Sequence, residues 1–251
     1  MKITHGNQTV ELFDEGIPDI CPISLSGGLD SAALMYLVST HYPQIQIIPY
    51  TCRDLNAPLD ADAAADIVKW FQTEFPNNNI LDIEIYEFND RTEEFVTFAE
   101  VDKVTADYPQ FNGMRRTGVS KIIQLDKISW NLMERFPGAV RLDGMTRNPP
   151  TEVMRKTPDF WEKAERRRDK EVPDVKTFRP NKKIPSLGIY QVFANVDKKF
   201  VAGVYIDYNL MTTLYPMTRS CVGTARQTDN FKHVCNTCFW CYEKDWAFDI
   251  L

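Results

Sequence analysis

Residues Leu25-Ser26-Gly27-Gly28-Leu29-Asp30-Ser31 stand between an apolar run, Ile20 to Leu25, and a helix-patterned stretch, Ala32 to Ser39. A buried strand that turns on two glycines into a helix restricts the chain to architectures built from strand–turn–helix units. The two glycines let the backbone pass close to an anion without Cβ interference, and a turn here aims several N–H groups at one point. A helix that begins near Leu29 turns its positive end to the same place. Gly-Gly alone is also an ordinary strand-to-helix turn. The full Ser-Gly-Gly-x-Asp-Ser string in this setting favours a phosphate cradle. It is not a Walker A loop, because the chain has no Gly-Lys-Ser/Thr tripeptide, and no Gly-x-Gly-x-x-Gly fingerprint occurs either.

The pattern after this turn keeps alternating. Ile45 to Tyr50 reads as a second strand, Asp60 to Phe75 as a helix with Ala64, Ile67, Val68 and Phe71 inside, and Ile80 to Phe88 as a third strand. Val119 to Phe136 supports a long helix that ends at Pro137-Gly138, and Ala139 to Leu142 a fourth strand. The expected fold is α/β: an open, mostly parallel sheet flanked by helices. In such sheets ligands bind beyond the carboxyl ends of the strands, which directs attention to Asp143-Gly144-Met145-Thr146-Arg147-Asn148. The pattern weakens at 89–118 and again at 151–195, which read as irregular insertions. The mixed-sign run Glu165 to Glu171 is either a solvated helix face or part of a lid over the site. The organisation expected is an α/β unit over 1–195 and a C-terminal helical segment over 196–251, packed on the same domain.

A chain of 251 residues, 43% hydrophobic and 25% charged, can bury a sizeable core. Its net charge of −6 speaks against a protein that coats nucleic acid, although a local basic groove stays open. Met1 to Val10 lacks the apolar core of a signal peptide, and no apolar run reaches the length of a membrane span. A soluble, cytoplasmic protein with no membrane partner is expected. In that compartment six cysteines are more often metal ligands than disulfides.

Cys221, Cys235, Cys238 and Cys241 form C-x13-C-x2-C-x2-C, a donor set suited to a tetrahedral structural zinc ion. His233 is a substitute ligand on the same segment. A Cys238/Cys241 redox dithiol and an iron–sulfur cluster are the alternatives. Cys21 reads as a small buried hydrophobe, and Cys52 as structural.

The Ser-Gly-Gly-x-Asp-Ser string resembles the PP-loop signature of the ATP pyrophosphatase superfamily, whose members cleave ATP between the α and β phosphates. Together with Thr218-Arg219-Ser220-Cys221 and the Cys-x2-Cys-x2-Cys knuckle, it is similar to the QueC/ExsB family, the 7-cyano-7-deazaguanine synthases. That family has tryptophan where Arg219 stands, and no counterpart of its Pro-x-Arg-Asn stretch is present. The resemblance implies a HUP-like (adenine nucleotide α-hydrolase-like), Rossmann-like fold that uses ATP, Mg2+ and Zn2+. The implied reaction joins a 7-deazaguanine acid to ammonia through an acyl adenylate and then dehydrates the amide to a nitrile.

On this reading Ser26, Gly27, Gly28 and Ser31 bind pyrophosphate, and Asp30 orients Mg2+ or its water. Tyr50 and Thr51 frame the adenine or ribose, and Gly144 and Arg147 lie near nucleotide or substrate. Lys199 and Arg219 neutralise charge on the transferred adenylyl group. Other acceptors keep the same core, as in NAD synthetase-like amidases and tRNA thiolases; Cys52 is the one candidate for a thiolase cysteine near the loop. A third class is an ATP-binding nucleic-acid module using the knuckle with Arg115-Arg116 and Arg166 to Arg168. A homodimer stays open.

Overall fold

The computed structural model describes residues 1–13, 16–54, 59–88, 96–107, 116–155, 178–180, 188–221, 223 and 225–249. The first element, absent from the sequence reading, is a hairpin of β1 (Lys2–His5) and β2 (Gln8–Glu11). Gly6, at φ +58°, supplies the positive φ that a two-residue hairpin turn needs.

The main sheet begins with β3 (Ile20–Ser24), followed by α1 (Leu29–His41), β4 (Gln46–Asp54), α2 (Leu59–Glu74) and β5 (Glu84–Phe88). Then come α3 (Phe98–Asp107), α4 (Arg116–Arg135), β6 (Arg141–Asp143), the single turn α5 (Thr151–Met154), β7 (Phe178–Pro180) and β8 (Gly188–Gln191). Helix α6 (Lys198–Asp207), two short 3-10 turns and helix α7 (Phe239–Ala247) complete the order. Each strand and helix of the α/β core is present near its expected span. β4 runs four residues beyond Tyr50, and β5 starts only at Glu84, with Ile80 making one isolated bridge to Ile47.

The sheet order is β5-β4-β3-β6-β8-β7, with five strands parallel and β7 antiparallel at the edge. The chain therefore builds outward from β3 in one direction and then, from β6, in the other. The reversal lies between β3 and β6, so the loops that leave these two strands face each other at the topological switch point.

Both faces are covered, which makes this the open parallel α/β architecture expected. One core joins β3, α1, α2 and α6 with Val10 and Leu12 from the hairpin side. A second, on the other face, joins Ile48, Tyr50 and Cys52 of β4 to Ile128 and Leu132 of α4. Helix α1 is buried nearly all round, as a helix wedged between sheet and outer helices must be. The first core crosses the 195/196 boundary through Val196, Phe200, Val201, Val204 and Tyr205. The run Glu165 to Glu171 and the arginines Arg115 and Arg166 to Arg168 lie outside the described residues, as do the side chain of Arg116 and most of the insertion over 151–195.

Candidate active site

The loop after β3 has the form its sequence requires. Gly27 takes φ +74°, and a Cβ there would meet the Asp60 carbonyl oxygen at 2.5 Å. Only glycine fits, because the loop is pressed against the first turn of α2 while in the left-handed region. Gly28 is the N-cap of α1 and brings no side chain of its own to the cap. The first N–H groups of the helix face the switch point, the arrangement that receives an anion.

Ser26 and Ser31 line this turn. The Ser31 hydroxyl donates to the Gly28 carbonyl at 3.3 Å and lies 3.3 Å from the Ser26 hydroxyl. The Gly28 N–H donates to Ser26 Oγ at 3.3 Å. Ser26 is exposed and Ser31 buried, so one hydroxyl faces outward and the other braces the turn. Across the switch point, Gly144 follows β6 so closely that a Cβ on it would stand 3.0 Å from the Asp30 carbonyl oxygen. Arg147, half-buried, is tied by its N–H to the Val196 carbonyl at 2.9 Å.

The cation at the loop is not Lys199. Lys199 turns outward, pairs with Asp249 and lies over the Trp246 ring at 5.4 Å. Lys198 instead reaches inward, 4% exposed, and donates to Asp30 Oδ2 at 2.7 Å. Its other carboxylate neighbour is Glu243 on α7, at 3.5 Å and 1% exposed. Helical phase explains the choice: Lys198 shares a face with Val201, Ala202 and Tyr205, which are buried, whereas Lys199 lies two turns below exposed Ile206. The Tyr205 hydroxyl also donates to the Leu29 carbonyl at 3.1 Å, so this face of α6 is docked on the start of α1. That stripe was the signal available in the sequence for Lys198.

Arg219 closes the loop from the other side. Its N–H donates to the Gly27 carbonyl at 2.7 Å, and its guanidinium lies 3.8 Å from Asp60. Burial pushes the Asp60 carboxyl up to about 6, with Lys121 and then Arg219 opposing the rise. Two candidates on strand β4, Tyr50 and Thr51, are placed otherwise than expected, whereas Cys52 has the structural place expected of it. Tyr50 and Thr51 lie within β4 and not at its end. The Tyr50 ring is fully buried beneath α4, and burial pushes its hydroxyl up to about 12. Thr51 is 4% exposed. Neither side chain therefore frames a nucleotide from the strand's end. Cys52 is 2% exposed, and burial pushes its thiol up to about 11, which leaves little thiolate at neutral pH.

The four expected metal ligands come together. The sulfurs of Cys221, Cys235, Cys238 and Cys241 all lie within 4.8 Å of one another, with Cys238 and Cys241 at 3.5 Å and Cys235 and Cys241 at 4.0 Å. A tetrahedral ion with bonds of about 2.3 Å places its thiolates about 3.8 Å apart, so the donor set fits one ion. An iron–sulfur cubane sits between its thiolates and spreads them further. Backbone N–H groups of Gly223 and Cys235 donate to Cys221 Sγ at 3.3 and 3.1 Å, and that of Cys238 to Cys235 Sγ at 3.3 Å; such donors favour thiolates. His233 is exposed and outside this ligand group.

No family model matches the chain, and no curated protein matches it. Three solved structures are similar in fold. The glutamine-dependent NAD+ synthetase of Acinetobacter baumannii, in complex with ADP, is 15% identical at a TM-score of 0.33, over 51% of this chain and 22% of that one. The U34-tRNA thiolase NcsA of Methanococcus maripaludis, with its [4Fe-4S] cluster, is 16% identical at 0.42, over 76% and 56%. The NMN synthetase of Francisella tularensis is 12% identical at 0.43, over 93% and 85%. The chain thus spans 22% of the first and 56% of the second of these proteins.

Proposed function

We propose that this protein is an ATP-dependent adenylating enzyme that cleaves ATP to AMP and pyrophosphate. The observation that carries the reading is the turn at Ser26 to Ser31: a helix N-terminus capped by glycine, at the switch point, with a buried lysine reaching its aspartate. Preorganised donors of this kind hold charge that develops on a leaving pyrophosphate without having to reorganise. The loop itself contains no lysine, so the cation comes from α6, unlike the Walker arrangement. Asp30 and Ser31 are the residues that would hold Mg2+ on the phosphates, where the ion would neutralise part of their charge. The cysteine spacing supports Zn2+ as a structural ion.

The acceptor we infer is a 7-deazaguanine carboxylate, with ammonia as the nitrogen source. The support is the Thr218-Arg219-Ser220-Cys221 element, which resembles the 7-cyano-7-deazaguanine synthases and here packs its Arg219 backbone on the phosphate loop. A carboxylate oxygen attacks the α-phosphorus and pyrophosphate leaves. Ammonia then attacks the acyl carbon, AMP leaves and a proton is lost, giving the amide. The amide oxygen then attacks the α-phosphorus of a second ATP and pyrophosphate leaves; loss of AMP, which carries away that oxygen, and of the two N–H protons gives the nitrile. The thiolase alternative finds no reactive cysteine at the loop among the described residues, because Cys52 is buried in the α4 core.

The test is to incubate the protein with ATP, Mg2+, ammonia and 7-carboxy-7-deazaguanine and to identify products by mass. AMP and pyrophosphate with the nitrile are expected. ADP and phosphate would contradict the adenylating assignment. AMP formed only with another acid in place of the deazaguanine would retain the adenylating core and replace the acceptor.

A further inference from the structure

Two segments that hold metal ligands also hold the phosphate loop. Cys221 follows Arg219 by two residues, and Arg219 donates its N–H to Gly27 at 2.7 Å. The Arg219 carbonyl and the Ser220 hydroxyl also border Gly28, at 3.5 and 3.7 Å from where a Cβ would stand. The second route runs through α7. Cys238 is its N-cap and Cys241 lies in its first turn; two residues on, Glu243 meets Lys198, which in turn holds Asp30.

Helix α7 has nine residues, and a helix of that length is marginal in water because its nucleus is costly. Its N-cap is a cysteine that makes no capping hydrogen bond. An ion that binds Cys238 and Cys241 together fixes the first turn from outside, replacing the missing cap. The geometry points to Glu243 as a positioning residue. We propose that filling the four-cysteine site fixes α7, and so holds Glu243 against Lys198 and the Arg219 segment against Gly27, setting the order of the phosphate loop. The metal then governs how readily the loop receives an anion, although it is remote from the transferred group. This coupling concerns the loop whatever its ligand; only its consequence for ATP rests on the proposed function.

Hydrogen exchange reads it directly. Protein loaded with Zn2+ is compared with protein stripped by a chelator under reducing conditions. The amides of Ser26 to Ser31 are expected to exchange about tenfold more slowly in the loaded form, while those of Ile47 and Ile48 in β4 stay unchanged. Two variants locate the link at equal zinc content: Glu243→Ala is expected to speed loop exchange roughly threefold in the loaded protein, and Glu243→Gln to restore part of the protection. Equal loop exchange with and without zinc overturns the proposal. So does protection lost equally in β4, which makes the ion a prop for the whole fold, and so does a Glu243→Ala variant that behaves as the parent. Mg2+–ATP titration by calorimetry separates the two readings. Zinc-dependent loop order without any ATP binding retains the coupling and removes the adenylating function.

Discussion

Lys198 and Lys199 are neighbours of the same type with opposite fates. Lys198 is buried between Asp30 and Glu243, and removing one member of a buried charge cluster leaves the others uncompensated. Lys198→Ala is expected to cost about 3 kcal/mol in thermal or denaturant unfolding. It should also lower pyrophosphate release roughly 100-fold, as loss of a preorganised charge donor does. Lys199→Ala removes a half-exposed pair and should stay within about 1 kcal/mol, with turnover retained. Charge and residue type in the sequence led to Lys199 alone; finding Lys198 needed the phase of α6 against the sheet. Tyr50 was misplaced for a related reason. An aromatic near the end of an apolar run reads as a strand terminus, whereas here β4 continues for four residues and the ring serves the core. Asp60 gives a pH signature. Its carboxyl titrates at about 6 against an ordinary 3.8, so the folded state takes the proton more readily. The stability it contributes is present in full below the ordinary value and is lost as pH rises through about 6. An Asp60→Asn variant should match the parent near pH 4 in melting temperature and exceed it near pH 7.5; equal melting temperatures throughout would contradict this.

The hairpin and α6 depend on each other through one glycine. A Cβ on Gly203 would lie 2.1 Å from the His5 ring, and His5 Nδ1 lies 2.9 Å from Asp207 at the end of the same helix. At the other end, Gln8 donates to the Asp197 carboxylate at 2.9 Å and accepts from its N–H at 2.8 Å, while Asp197 caps α6 through the Lys199 N–H. The hairpin therefore braces both ends of the helix that carries Lys198. Gly203→Ala is expected to destabilise by about 2 kcal/mol through overpacking, and adding His5→Ala should recover part of that loss. Additive single effects in the denaturation cycle would exclude the contact. The α/β core was legible because its buried strands and amphipathic helices carry strong periodicity; the inside positions Ala64, Ile67, Val68 and Phe71 of α2 are all buried. The hairpin was not, because four-residue strands with exposed faces leave almost no pattern.

The four cysteines were legible as a ligand set, since spacing alone brings three of them close; that Cys221 joins them depends on the path of the chain from the phosphate loop. One core spans the sheet, α6 and the hairpin side, and the cysteine knuckle rests on it through Glu243 and Lys198. Complete unfolding should therefore be a single event. Zinc release followed with a chromogenic indicator and loss of far-UV circular dichroism are expected to coincide in urea, as two-state behaviour requires. Release at clearly lower urea would show the knuckle to be an independent unit.

The Asp30–Lys198 bond, which joins residues 168 positions apart, also has a bearing on synthesis. At about 5–20 residues per second, the glycine turn leaves the ribosome roughly 10–30 s before the lysine that completes it. The nascent protein carries an anion cradle without its cation until α6 is made, and it is that late helix which arms it.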